Sequence, residues 1–421
     1  MKFSVLTFGC RANQADSCQI ERDLRAGGGL PAGSDSADVV VVNTCSVTAA
    51  ADAAARRAIR GVARANPRAG IVATGCYATR KPDEVAGLPG VWHLVRNAGK
   101  PQLAEIITPG VISGPTGQRE IAPGVISLRP GDRGRTAYPL NVQTGCDERC
   151  SYCIVPSTRG PGQSRGVPHV VCEVGRLAAV GFKEVWLTGV HLGSYGRDLR
   201  PQSRLIDLLR ALDREAAALD MTFRLSSLEP MDCSDEIVDL VAASPRFAPH
   251  LHLPVQHASD RMLSAMRRPY TAARFRAIVA RAREKMPDAA IGTDVIVGFP
   301  GETDRDFDEQ LSFVCEVAPS YVHVFPYSDR PGSEASAMPS KVAPAIVRHR
   351  AARLREVARE LSLRFAGRQI GRERPALTLG DGSVALTDNY LKLGIARGRA
   401  RNERVRVRIV SARPLRGEVV A

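Results

Sequence analysis

Three cysteines, Cys146, Cys150 and Cys153, fall within the eight residues CDERCSYC at spacing C-x3-C-x2-C. A closed structural zinc site takes four protein ligands, so a trio is one short. Thiolates are also the usual ligands of iron–sulfur clusters, and three of them on a four-iron cube leave one iron open to an outside ligand. Zinc would require Cys172 as the fourth ligand. That residue sits in PHVVCEVGRLAAVG, an expected helix, where a small buried hydrophobe is the commoner role. Zinc sites also tend to come as paired C-x2-C knuckles, which favours the cluster.

A second trio is dispersed. Cys10, Cys45 and Cys76 each end one of three apolar runs, as FGC, NTC and TGC. If those runs are neighbouring parallel strands, their carboxyl ends share one sheet edge, where α/β proteins bind ligands. The alternative is three isolated core cysteines, but that does not explain the same placement on consecutive strands. Cys18, Cys233 and Cys315 lack such placement and read as structural. The compact trio, with Tyr152 before its last cysteine, resembles the signature of the radical S-adenosylmethionine (SAM) superfamily. The resemblance implies SAM on the open iron and its reductive cleavage to a 5′-deoxyadenosyl radical.

The elements that must position these thiols show in the hydrophobic pattern. KFSVLTFGC, ADVVVVNTC and AGIVATGC read as strands, each followed by a helical stretch such as 49–64. Strand–helix alternation implies an open parallel α/β sheet over residues 1–100. Residues 101–137 read as a Gly/Pro-dense linker, with PGVIS at 109–113 and 123–127 as two short strands. Over residues 138–366, YPLNVQT, KEVWLTG, TFRLSS, PHLHLP, AAIGTDVIVGF and SYVHVFPY read as six parallel strands of a partial (βα)6 barrel. Residues 344–366 form a long basic helix with Val347, Ala351, Leu354, Ala358, Leu361 and Phe365 as its apolar stripe. Residues 367–421 read as a small all-β barrel of RPALTLGD, SVALTDNYLKLGI, RVRVRIV and RGEVV.

Catalytic groups of βα barrels sit at the carboxyl ends of strands. Here those ends read LTGVHLGSYG, RLSSLEP, HLPVQHAS and DVIVGFPGE. Gly189 and Gly298 would let backbone approach a cofactor, and Ser227, Glu229 and Gln256 could bond its amino acid and ribose. Each could equally be a turn or cap residue. His252 and His257 are expected to be structural rather than ligands. Arg149, Arg159 and Arg165 could offset cluster charge, contact phosphate or lie solvated in a loop.

At 421 residues the chain should hold about three domains of ~150 residues. No run approaches the ~18 apolar residues of a membrane span, and MKFSVLTFGC lacks a signal-peptide core, so a cytoplasmic protein is expected. Ten cysteines in such a chain argue for metal or redox chemistry over disulfides. Net charge is +14, of which residues 341–421 carry +12, with 19 Lys and Arg against 7 Asp and Glu. A basic terminal block is a handle for a polyanion, most plausibly nucleic acid. In RVRVRIV, Arg404, Arg406 and Arg408 share one strand face as a row of cations, and Tyr390 is the main aromatic candidate for base stacking.

Two cysteine trios followed by a basic β-barrel resemble the methylthiotransferase family of radical SAM enzymes over essentially the whole chain. TFGCRANQADS, NTCSVTAAAD, TGCYA, GCDERCSYCIVPSTRGPGQSR, HLPVQHASDRMLSAMRRPYT, TDVIVGFPGETDRDF and TDNYLKL carry the resemblance. It implies an N-terminal cluster domain, a radical SAM partial barrel and a C-terminal TRAM barrel that binds RNA. It implies two 4Fe–4S clusters, held by Cys146, Cys150 and Cys153 and by Cys10, Cys45 and Cys76, with SAM as both radical source and methyl donor. NTCSVT, TGCYA and LTGVHLGSYG look most like the branch that methylthiolates C2 of N6-threonylcarbamoyladenosine at tRNA position 37. The sister branches act on isopentenyladenosine in tRNA or on a ribosomal-protein aspartate. Expected partners are tRNA and a flavodoxin- or ferredoxin-type reductant, with no membrane and a monomeric chain. The rival of another class is a non-catalytic RNA-binding protein holding zinc or structural clusters.

Overall fold

The computed structural model describes residues 1–108 and 128–420. The expected pair of PGVIS strands lies outside the described residues. The chain divides into two compact units, one of Met1–Arg129 with Thr144–Glu148 and Cys153–Gly162, the other of Pro130–Gln143, Arg149–Tyr152 and Gln163–Ala421.

In the first unit, β1 (Lys2–Thr7), β2 (Leu30–Pro31), β3 (Val39–Thr44), β4 (Gly70–Gly75) and β5 (Val91–Val95) form a parallel sheet in the order β2-β1-β3-β4-β5. The run Val39–Val42 explains why β3 is central. Val40 and Val42 pack on one face with Ile59 and Ala55 of helix α2 (Ala49–Ala65), and Val39 and Val41 on the other with Ile20 and Leu24 of helix α1 (Arg11–Ala26). A strand buried on both faces loses the polar alternation of a half-buried one. Thr48 caps α2 by accepting from the Ala51 N–H. The edge strands β2 and β5 were not expected, the first having two residues and the second burying only one of its five. The unit also continues past residue 100, because Leu103 and Ala104 are buried in its core.

All six expected strands of the second unit are present: β6 (Tyr138–Thr144), β8 (Glu184–Gly189), β9 (Thr222–Leu225), β10 (His250–His252), β11 (Ala290–Val297) and β12 (Tyr321–Pro326). A two-residue strand, β7 (Gln163–Ser164), edges β6. The sheets β7-β6-β8-β9 and β10-β11-β12 meet through parallel bridges at Phe223↔Phe247 and Ser227↔His252, which makes the array a partial barrel. The helix Pro344–Arg368 follows, with Ala351, Leu354, Ala358, Leu361 and Phe365 buried and Val347 half-buried, as its stripe requires. Among the described residues no helix is long and apolar enough to cross a membrane.

The terminal barrel is closed, in the order β13-β14-β15-β17-β16, from β13 (Glu373–Leu379), β14 (Val384–Thr387), β15 (Lys392–Gly394), β16 (Arg404–Ala412) and β17 (Leu415–Val420). SVALTDNYLKLGI, expected as one strand, is two. Its TDNY turns the chain, with Tyr390 at φ 72° and the Tyr390 N–H donating to Thr387 O at 3.0 Å.

One buried cation ties this barrel to the preceding one. Arg224 is fully buried on β9, and its guanidinium reaches Glu184 Oε2 at 3.1 Å, Thr387 O at 3.2 Å and Asp388 O at 2.8 Å. It also lies over the rings of Trp186 and Tyr390. Replacing it strands Glu184 as a buried anion, at a cost of about 3–5 kcal/mol. Arg224→Met should therefore lower the unfolding temperature and speed amide exchange in β14 and β15, and adding Glu184→Gln should recover part of the loss. Unchanged exchange in β14 and β15 would contradict that role.

Candidate metal centres

In the first unit, Cys45 and Cys76 follow β3 and β4 directly and Cys10 lies three residues past the end of β1, so parallel pairing in register delivers all three to one sheet edge. Glycine precedes two of them for a steric reason. Gly9 has φ +87°, and a Cβ there would lie 2.3 Å from Cys45 Sγ; Gly75 has φ +99°, and its Cβ would lie 2.2 Å from Thr44 O. Cys10 is the N-cap of α1, and Cys76 is the first residue of the short helix α3 (Cys76–Arg80). Cys45 is buried, and burial together with the neighbouring Cys10 and Cys76 thiols pushes its thiol up to about 11.

Positive charge faces this edge. Arg159, with a side chain 4% exposed, donates to Asn13 Oδ1 at 2.5 Å and Asp16 Oδ2 at 2.8 Å, and it also bonds Cys76. Burial pulls its guanidinium down, but Asp16 and the Cys76 and Cys10 thiols hold it well above the usual arginine value. Lys100 Nζ meets the same Asp16 oxygen at 2.5 Å. Burial would raise the Asp16 carboxyl, but the two cations outweigh it and hold it below its ordinary value. One carboxylate is thus shared by two basic side chains, of which Arg159 interacts with the Cys76 and Cys10 thiols and Lys100, held below its ordinary value chiefly by burial, with Cys76. Asn97 Nδ2 adds a donor 3.5 Å from Cys76 Sγ while also donating to Thr158 O at 2.8 Å.

The compact trio lies on a loop whose residues belong to both units. Cys146 and Cys153 count with the first, where the Cys146 N–H donates to Gly160 O at 3.0 Å and the Val155 N–H lies 3.4 Å from Cys153 Sγ. Cys150 counts with the second, where Arg268 Nη1 stands 2.9 Å from its sulfur. Arg268 also pairs tightly with Glu229 and bonds Tyr270 Oη at 3.1 Å. Ser151 is pinned from three sides by Met266 O, Ala265 O and the Ala335 N–H, and Tyr152 packs against the Met262, Met266, Ile296 and Phe299 cluster.

Comparison with known proteins follows the same division. Residues 140–314 match the radical SAM superfamily, and residues 2–96 match the uncharacterized protein family UPF0004. A threonylcarbamoyladenosine tRNA methylthiotransferase of Aquifex aeolicus is 36% identical over 404 residues, covering 93% of this chain and 96% of its own. A tRNA-2-methylthio-N(6)-dimethylallyladenosine synthase of Parafrankia sp. is 35% identical over 96% of this chain and 82% of its own. A ribosomal-protein methylthiotransferase of Desulfotalea psychrophila is 33% identical over 100% of this chain and 96% of its own. The chain belongs to the radical SAM methylthiotransferases. A solved radical SAM methyltransferase from Kitasatospora setae shares the fold at TM-score 0.59 and 18% identity, covering 80% of this chain and 76% of its own.

The radical SAM fold implies a 4Fe–4S cluster and SAM, and methylthiotransferases carry a second cluster. The first unit fits such a group: three thiols share one edge, backed by the Arg159 guanidinium and an amide donor, which suits an anionic thiolate-ligated cluster. The Cys10, Cys45 and Cys76 sulfurs are not all within 4.8 Å of one another, as a single-ion site would demand. A cube holds its irons at separate corners, so it spreads its ligands more widely.

Other expected residues stand as follows. Ser227, Glu229, Gln256 and Gly298 lie at or beyond the carboxyl ends of β9, β10 and β11, but each has a partner in the protein. Glu229 is engaged by Arg268, and Ser227 Oγ lies 2.8 Å from His252 Nδ1. The Gln256 N–H donates to Asp294 O at 2.9 Å. Glycine at 298 is demanded by Val347, whose Cγ2 would lie 2.4 Å from a Cβ, and at 189 by Gln143 and Leu192. Packing alone thus requires glycine at both positions. Arg159 is a buried partner of the thiols, not a loop cation; Arg149 is exposed, and Arg165 is half-buried near Asn141 O. Cys18 and Cys233 are buried, but Cys172 and Cys315 are exposed and are no part of a core.

Arg268, Asn97, Lys100 and Asp16 were not picked out in advance. For two of them the sequence signal is membership of a matching stretch, Asp16 in TFGCRANQADS and Arg268 in HLPVQHASDRMLSAMRRPYT; Asn97 and Lys100 lie in none.

Asp16→Asn should leave Arg159 and Lys100 buried with no anion between them, a loss of about 3–5 kcal/mol. Because Asp16 titrates below its unfolded value of 3.8, its contribution is complete above that value and fades as pH falls through the folded one. Thermal melts should thus separate Asp16→Asn from the parent widely at pH 7 and less at pH 3. Equal melting at pH 7 would show that the pair stabilises nothing.

Proposed function

We propose that the protein methylthiolates C2 of N6-threonylcarbamoyladenosine at position 37 of tRNA. The observation that carries this reading is the 36% identity, over 96% of its length, to the Aquifex threonylcarbamoyladenosine tRNA methylthiotransferase. Relatives of the same name from Thermotoga maritima and Bacillus subtilis, at 35% and 33%, support it.

Cys146, Cys150 and Cys153 would hold the SAM-cleaving cluster, and Cys10, Cys45 and Cys76 the auxiliary one. When bound, these groups supply the electron that cleaves SAM and the sulfur that reaches the base. The chain's own residues set the conditions for that chemistry. N–H donors aimed at ligand sulfurs, from Arg268 to Cys150 and from Asn97 and Arg159 to Cys76, stabilise negative charge on the thiolates and adjust the reduction potential. A flavodoxin- or ferredoxin-type protein would deliver the electron.

The terminal barrel would hold RNA through phosphates, though only part of the expected cation row is available. Arg404 is drawn to Asp220 and to Lys183 O, and Arg408 pairs with Glu373 at 2.6 Å. Arg406, 58% exposed, has only a loose contact with Glu373 at 3.9 Å. Tyr390 packs beside Trp186, His250 and Tyr321, so its ring serves the protein core. Phosphate contact, not stacking, is the chemistry left to this face.

Two measurements check this. Nucleosides from a deletion strain should lack the 2-methylthio derivative of N6-threonylcarbamoyladenosine and accumulate its parent; an intact derivative, with loss of the isopentenyl one, would move the assignment to the sister branch. Arg406→Glu should weaken tRNA binding roughly tenfold at moderate salt and flatten its salt dependence by about one ion, without changing SAM cleavage in the absence of RNA. Unaltered binding would remove this face from RNA recognition.

A further inference from the structure

The second unit carries a ligand constellation that neither cysteine trio explains. His252 on β10, Asp294 on β11 and His323 on β12 have ligand atoms that all lie within 4.8 Å of one another, the one such trio of His, Cys, Asp or Glu among the described residues. Strand register produces it. Asp294 pairs directly with His323, and His252 pairs with Gly292, two residues before Asp294, so all three share one sheet face. His252 Nε2 stands 3.0 Å from Asp294 Oδ1, with side chains 11% and 21% exposed, while His323 is exposed. Behind His252, Ser227 Oγ lies 2.8 Å from Nδ1.

We propose that His252, Asp294 and His323 form a divalent transition-metal site separate from both clusters. Two imidazoles and one carboxylate on one face are a donor set for zinc or ferrous iron, and three protein ligands leave a coordination position open to an oxygen ligand. Ser227 has the role expected of an outer partner. With an ion on Nε2, Ser227 Oγ would accept from Nδ1–H and hold the metal-binding tautomer. The sequence alone assigned His252 to structure, because its partners lie 42 and 71 residues further along the chain.

The probe is zinc, offered to protein whose cysteines are already occupied. Anaerobically reconstituted enzyme, dialysed against micromolar Zn2+, should retain about one zinc per chain. Zinc-edge absorption fine structure should show imidazole and oxygen neighbours without sulfur. His323→Gln, at an exposed position, should weaken zinc retention at least tenfold while leaving iron content unchanged, and Asp294→Asn should do the same. Failure to retain zinc, sulfur in its shell, or equal retention by His323→Gln would overturn the site. In that case the Ser227–His252–Asp294 chain is a hydrogen-bonded brace and no more.

Discussion

Negative charge gathered at one sheet edge is the constraint on which the first unit depends. Burial first, and then the neighbouring Cys10 and Cys76 thiols, oppose ionisation of the Cys45 thiol. Ligation requires thiolates, so the protein must supply compensation that survives burial. A lone buried arginine or lysine would be costly, and two side by side more so. Asp16 resolves this by holding Arg159 and Lys100 together, with the Arg159 guanidinium bonded to Cys76.

The second unit repeats the device with other residues. Arg268 is gripped by Glu229 and Tyr270 and directs an N–H to Cys150. In both cases a guanidinium is oriented by a carboxylate and spends a remaining donor on a cysteine sulfur. Arginine suits this because its planar fork serves two acceptors at once and stays charged when buried. The carboxylates come from different kinds of element, a helix in one unit and the segment after a barrel strand in the other.

Much of this arrangement was legible in the sequence because it is periodic or local. Val39–Val42 announces a central parallel strand, the stripe from Val347 to Phe365 a helix packed on one side, and the alternation in RVRVRIV a barrel strand with its arginines outward. The cysteines could be grouped because each stands at a strand end or within a short loop. The residues that were missed act at a distance: Arg159 meets Asp16 across 143 positions, and Arg268 meets Cys150 across 118. No periodicity reports such pairs. The ring neighbours of Tyr390 are equally distant in sequence, since Trp186, His250 and Tyr321 lie 204, 140 and 69 positions away. The glycines at 189 and 298 proved to be packing requirements that only the neighbouring side chains reveal.

The central claim is that each cysteine trio grips a cube, and that basic residues beside each make this possible. Mössbauer spectroscopy with iron quantification on anaerobically purified protein tests it most directly. The account predicts about eight irons per chain in two cubane signals, and about four, with one signal gone, when Cys10, Cys45 and Cys76 are all replaced by alanine. Colourless protein with stoichiometric zinc on thiolates, or a triple variant with its full iron, would contradict it.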